Sequence, residues 1–216
     1  MRSETTRMQY TREFLGQHPI LFLISIVILS CCGVIATFGS LWTIPAICVG
    51  AVLFILIEYT AHRFVLHECP QFAPKSYKGH VAHHETPNDV KHLFGPVAVD
   101  VYGYLIILAA AYLVTGFDWH LSLAVVFGTS SFQIYYQWQH YIAHRPIVPF
   151  TPWGKWMKKR HLLHHHMDEK AMYGVTNPVM DMVLQTNRLK RKNRSTSFPK
   201  PHKGDAAHER NDKKMA

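Results

Sequence analysis

Four stretches of this 216-residue chain are apolar over lengths that suit a bilayer core: Ile20 to Phe38, Leu41 to Ile57, Val97 to Thr115 and Leu121 to Trp138. Only the third carries a charge, Asp100. The first is too long for the apolar part of a cleaved leader and follows an unusually long polar lead-in, so it reads as a membrane span. The spans pair into two helical hairpins, one turning near Gly39 to Leu41 and the other at Gly116 to His120. Beyond the apolar limit, the second helix runs on through "EYTAHRFVLH" until Pro70 stops it, and the fourth through "QHYIAH" to Pro146. Between the hairpins lies a proline-punctuated loop carrying "GHVAHHETPND". After the second hairpin come a helical stretch, "KKRHLLHHH", and then "YGVTNPVMD". The predicted fold is all-α and integral to the membrane, with four transmembrane helices capped by a cytoplasmic, histidine-rich catalytic region. Residues 1–19 form an N-terminal cytoplasmic segment and 20–186 the membrane domain. Residues 187–216 form a basic tail whose Lys, Arg, Asn, Ser and Pro content predicts disorder.

Charge sharpens this picture. All 23 Lys and Arg lie before Ile20, between Arg63 and Lys91, or after His144, and neither hairpin turn contains one. Four spans put those three regions on one side, and the positive-inside bias makes that side the cytoplasm. A basic face against anionic headgroups also accounts for the net charge of +9 without nucleic acid. The cysteines Cys31, Cys32, Cys48 and Cys69 form no C-x-x-C pair and read as small hydrophobic packing residues.

Chemistry concentrates in the 16 histidines. Ten fall into four clusters: His62 and His67; His80, His83 and His84; His140 and His144; His161, His164 and His165. Each cluster lies at or just past the cytoplasmic end of a predicted span. On a helix, residues three and four apart share a face. His140/His144 can therefore serve one ion, and each H-x-x-H-H triplet can present three nitrogens to one side. His62/His67 fits less well, because five residues turn a regular helix by about 140°; the pair needs a bend or serves two ions. Neutral imidazoles suit Fe, Zn, Cu or Ni, and ten exceed what one tetrahedral ion can use, so two ions are the economical reading. His18, His120, His202 and His208 stand alone and read as surface residues. His92 and His166 adjoin clusters but are expected not to be ligands, His166 because it lies one step off the face shared by His161, His164 and His165.

Other catalytic signatures do not fit. "HECPQ" and "HHETPN" lack the second histidine of H-E-x-x-H, and there is no P-loop, dinucleotide fingerprint or G-x-S-x-G. The order H-x-x-x-x-H, H-x-x-H-H, H-x-x-x-H, H-x-x-H-H resembles the fatty acid hydroxylase/sterol desaturase superfamily of membrane di-metal oxygenases. "GHVAHHETPNDVKHLFGPV" and the stretch from "YYQWQHYIAHRPIVPF" to "YGVTNPVMDMVLQT" are similar to segments of fatty acid 2-hydroxylases, and the likeness covers about Glu58 to Thr186. The residue after the H-x-x-x-H cluster, often His in those enzymes, is Arg145 here.

The resemblance implies that His62, His67, His80, His83, His84, His140, His144, His161, His164 and His165 are metal ligands. It implies two iron ions, which zinc can replace on purification, and O2 as co-substrate. The reaction it implies is hydroxylation of a lipid acyl chain, first of all at the 2-position. A sterol or carotenoid hydroxylase or desaturase would share this site. From a different class, a membrane metal-binding or haem electron-transfer protein is the competing reading. Asp89, Glu85, Asp168, Glu169 and Asp181 are candidates to support the ligands. Many eukaryotic relatives carry a cytochrome b5 domain that this sequence lacks. Electrons are therefore expected from a separate protein, of cytochrome b5 or ferredoxin type, with the Lys155–Arg160 patch as its dock or as a headgroup site. The membrane is the endoplasmic reticulum in a eukaryote, where "KKMA" resembles a dilysine retrieval signal, and the cytoplasmic membrane in a bacterium.

The topology is directly testable. A cysteine-accessibility or reporter-fusion map is expected to place both termini and the 63–91 loop in the cytoplasm and the Gly116–His120 turn outside. A C-terminus outside would contradict the charge argument.

Overall fold

The computed structural model describes residues 2–37 and 39–189; residues 190–216 of the predicted tail, with His202 and His208, lie outside the described residues. These residues form nine helices and, among the described residues, no strand. The helices are α1 (Arg2–Leu15), α2 (His18–Ala36), α3 (Thr43–Thr60), α4 (Pro74–Glu85), α5 (Val90–Leu93), α6 (Val97–Val114), α7 (Trp119–Ala143), α8 (Pro152–His166) and α9 (Val179–Val183). α3 passes without a break into a π-helical segment, Ala61–Glu68. The lead-in, expected only to be polar, is thus the helix α1.

Among the described residues, three helical stretches are long and apolar enough to cross a membrane: His18–Ala36, Thr43–Glu68 and Val90–Val114. The fourth predicted span, α7, is not among them by composition. The reason is visible in its packing. α7 is the axis of the bundle, in contact with α2, α3, α6 and α8, and its polar side chains turn toward those neighbours. Thr129 Oγ1 lies 3.0 Å from the Gly50 carbonyl. Gln133 donates to Asp100 at 2.8 Å and accepts from the Tyr104 hydroxyl at 2.7 Å. A helix shielded by three apolar ones does not itself need to be apolar, provided its polar groups find partners.

Close approach sets the α3–α7 contact. A Cβ on Gly50 would collide with the Val125 carbonyl, and one on Gly128 with the Ile47 carbonyl. Each glycine makes room for the other helix's backbone, as small residues do in membrane bundles. At the end of the bundle far from the clusters, His120 contradicts its reading as a surface residue. It is buried, with Nδ1 2.9 Å from Thr37 Oγ1 and Nε2 2.7 Å from Thr43 Oγ1, and so joins α7 to the α2–α3 connection.

At the histidine-bearing end, α1 docks on α7. Phe14 is buried against Phe94, Trp138 and Tyr141, and the Tyr141 hydroxyl donates to Glu13. Gly128→Val is expected to wedge α3 from α7 and cost about 1–3 kcal/mol. The measurement is a lowered thermal midpoint in detergent. Gly103→Ala, whose new Cβ would meet nothing within 4 Å, should change it little.

Candidate metal centre

The ten histidines of the four clusters meet in two groups of five. One contains His62, His67, His80, His84 and His164; the other contains His83, His140, His144, His161 and His165. Within each group the offered nitrogens all lie within 4.8 Å of one another. The groups abut where the His84 and His165 rings stack, with centroids 4.0 Å apart.

Local helix geometry explains membership. The i, i+4 pairs His80/His84, His140/His144 and His161/His165 each stay in one group, as a shared face requires. The i+3 member of each triplet crosses over: His83 joins the group of His161 and His165, and His164 joins that of His80 and His84. The expectation of three nitrogens to one side is therefore corrected to two and one, because i+3 and i+4 lie on opposite flanks of residue i. The awkward spacing of His62 and His67 is resolved by the π-helical segment. Its i→i+5 bonding, seen where the Cys69 N–H donates to the Phe64 carbonyl at 2.7 Å, brings residues five apart onto one face.

The distances suit metal ions. Ring nitrogens approach at 2.9 Å (His67–His80), 3.1 Å (His80–His84), 3.0 Å (His83–His140) and 2.9 Å (His144–His161). Two nitrogens at ~2.0–2.1 Å from one ion and at right angles lie ~2.9 Å apart. Seven histidine nitrogens are buried without a hydrogen-bond partner: His62 Nε2, His83 Nδ1, His140 Nδ1, His161 Nδ1, His164 Nε2 and both of His165. An unsatisfied buried polar group costs roughly 1–3 kcal/mol, and an ion would relieve His62 Nε2 and His164 Nε2, whereas His83, His140 and His161 meet their neighbours through Nε2 and keep Nδ1 on the far side of the ring. Burial, and then the neighbouring imidazoles, holds these rings neutral. The pKa of His84 falls to about 4, and burial followed by His84 and Arg145 lowers that of His144 to about 3. His80, His161 and His164 are likewise pushed well down, chiefly by burial. A neutral imidazole keeps the lone pair that a metal needs.

Backbone groups aim two of the rings. His62 donates through Nδ1 to the Tyr173 carbonyl at 2.6 Å, and His164 through Nδ1 to the Ala171 carbonyl at 2.8 Å. Each is thereby fixed in the tautomer whose Nε2 is free. The 171–176 loop that supplies these carbonyls is held by two buried carboxylates. Asp181, fully buried, accepts from the N–H groups of Tyr173 and Gly174 at 2.9 Å each and from Arg160 at 3.1 Å. Glu58 accepts from the N–H groups of Val175 at 2.6 Å and Thr176 at 3.0 Å.

Of the five acidic residues picked from the sequence, Asp181 thus supports the site at one remove. Asp89 caps α5 through the Lys91 N–H, Asp168 accepts from the Lys170 N–H, and Glu85 and Glu169 line an opening of about 350 Å³ over His67, His80, His84 and His165. Glu58 was missed. The available signal was an ionisable residue at the end of an apolar run.

The Lys155–Arg160 patch is also corrected. Lys155 and Lys159 are exposed, but Arg160 is buried on Asp181, and Lys158 turns inward. Its Nζ donates to the carbonyls of Ile142 at 2.7 Å, Arg145 at 2.7 Å and Ile147 at 2.8 Å, closing the end of α7 beside His144. Arg145, in the place of the usual histidine, bonds Glu13 at 3.0 Å and the carbonyls of Asn88 at 3.0 Å and His144 at 3.1 Å. His166 is exposed, and neither it nor His92 belongs to either group of five.

Lys158→Met removes all three carbonyl contacts at once. It is expected to loosen His144 and halve the metal content of the purified protein, with Lys158→Arg recovering part of it. Elemental analysis of both variants beside the parent checks this.

Residues 47–186 match the fatty acid hydroxylase family. Among similar proteins, the ceramide very long chain fatty acid hydroxylase scs7 of Schizosaccharomyces pombe is 28% identical over 151 residues, covering 64% of this chain and 41% of that protein. The dihydroceramide fatty acyl 2-hydroxylase FAH2 of Arabidopsis thaliana is 30% identical over 150 residues, covering 63% of this chain and 58% of that protein. The chain spans about half the length of the relatives it matches. The solved structure of full-length scs7p, in which only the hydroxylase domain is visible, shares the fold at a TM-score of 0.66 and 24% identity, over 76% of this chain and 63% of that one. With the family match running from the second turn of α3 to the loop after α9, through all ten clustered histidines, this chain belongs to the fatty acid hydroxylase family.

Proposed function

We propose that this protein is a multi-pass membrane oxidoreductase that hydroxylates the acyl chain of a lipid, with O2 as co-substrate, at the carbon next to the carbonyl. The observation that carries the reading is the pair of five-histidine groups, together with relatives named as ceramide and dihydroceramide fatty acyl hydroxylases. The ten clustered histidines would hold two metal ions, iron in the working enzyme and zinc where it replaces iron on purification. Bound there, the ions supply the O2 and C–H chemistry that no side chain can perform. The protein's own part is to keep ten imidazoles neutral, to aim His62 and His164 through the 171–176 loop, and to shield most of the site from water. Ring nitrogens only 2.9–3.1 Å apart favour ions over the haem reading, which needs a porphyrin between opposed histidines.

Under the same proposal α7 is the fourth span, lying inside the other three, and the histidine groups face the cytoplasm. An external electron donor of cytochrome b5 or ferredoxin type completes the cycle. The membrane is the endoplasmic reticulum in a eukaryote or the cytoplasmic membrane in a bacterium.

Two measurements test the reading. Lipid mass spectrometry of cells with and without the gene should show 2-hydroxylated acyl chains only with it. In the same assay His165→Ala should abolish product and lower bound metal, while exposed His166→Ala retains both. Equal loss from the two variants, or an unchanged lipid profile, would overturn it.

A further inference from the structure

An apolar patch outside the metal centre is left uncovered. Trp153 and Trp156 of α8, and Val179, Met182, Val183 and Leu184 in and just after α9, are all exposed, Met182 by 58% and Val183 by 66%. Bonding ties the two parts into one surface. The Trp153 indole donates to the Thr176 carbonyl at 3.2 Å, three residues before α9 begins. Arg160 lies 5.3 Å over the Trp156 ring and binds Asp181 within α9. Such an assembly is too large to be a scatter of single exposed hydrophobes.

We propose that α9 and the opening turns of α8 are seated in the interfacial layer of the same bilayer that α3 crosses. Continuity is the first argument. α9 packs on α3, and the Thr186 hydroxyl just after α9 lies 2.9 Å from the Tyr59 hydroxyl near the end of α3. The patch therefore sits level with the end of an apolar span, where hydrocarbon gives way to headgroups. Residue chemistry is the second. Tryptophan, with an apolar body and one polar edge, favours that depth. Charge is the third: Lys155 and Lys159 are exposed on α8, the helix that carries Trp153 and Trp156, and Arg188 is exposed four residues after Leu184. Exposed cations on the elements that carry an apolar face suit an anionic lipid surface.

The seat is coupled to the candidate metal centre. Asp181 on α9 holds the Tyr173 N–H, and the Tyr173 carbonyl orients His62. Resting on the hydroxylase reading, the consequence is that a lipid's acyl carbons next to its headgroup reach the histidine groups from within the bilayer, without passing through water.

The test measures depth rather than activity, so its failure is separate from failure of that reading. Single cysteines at Met182, Val183 and Lys170 are introduced after replacement of Cys31, Cys32, Cys48 and Cys69 by alanine. They are spin-labelled in vesicles of phosphatidylcholine and phosphatidylserine. Collision with oxygen, which partitions into hydrocarbon, is compared with collision with a water-soluble nickel chelate. The oxygen-to-nickel ratio at positions 182 and 183 is expected to be several-fold above that at 170, an exposed charged position away from the patch. Circular dichroism of each labelled protein shows whether the helices are retained, and only helical samples are compared. Nickel-dominated collisions at 182 and 183 would overturn the proposal. So would dipolar broadening between labels, which would mean that a second copy of the chain covers the patch.

Discussion

Ten imidazoles packed into two buried groups, with nitrogens within 4.8 Å of one another in each, are held in the neutral form, and this constraint governs the rest of the molecule. Protonating several rings at 3 Å spacing would set like charges together in a buried site, so burial and mutual repulsion both hold them neutral. Neutral rings with unpartnered nitrogens are costly unless something binds them, and they stay in place only because other bonds hold the elements that carry them. The supporting structure can be read as the set of those bonds.

Support reaches the two groups by different routes. On one side, Glu58 and Asp181 fasten the 171–176 loop, and its carbonyls fix His62 and His164. These carboxylates act through the backbone, two bonds removed from any ring. On the other side, His140 and His144 ride on the end of α7, where Lys158 and Arg145 satisfy carbonyls that helical bonding leaves open. Positive charge there also suits the helix dipole. Lys158 is consumed by this task and Arg160 by Asp181, so of the basic run only Lys155 and Lys159 remain at the surface.

The membrane part serves the same end by giving α7 a dry and rigid setting. Glycine contacts let α3 and α7 approach to backbone distance, and the Asp100–Gln133–Tyr104 chain ties α6 to α7 by polar bonds within an apolar surround. Such bonds locate one helix relative to another more sharply than apolar packing alone. α7 can then deliver His140 and His144 to a fixed point from a helix of 25 residues.

The sequence by itself determined what depends on one element at a time. Apolar run length marked four stretches, three of which belong to helices long and apolar enough to cross a membrane, proline marked where helices stop, and spacing marked which histidines share a helix face. Those features are local, because chain geometry repeats within a helix whatever surrounds it. Only the tertiary structure decided how faces meet. It divided each H-x-x-H-H triplet between two groups, because the third ring faces a different neighbour. It took His62 and His67 through a π turn, whose bonding is stabilised by contacts that periodicity does not report. Lys158, Arg160, His120 and Glu58 were misread or missed for one reason: a polar side chain is buried or exposed according to partners 11 to 118 residues away. Pairing across elements is a property of the assembled fold, and no single stretch of sequence contains both halves of it.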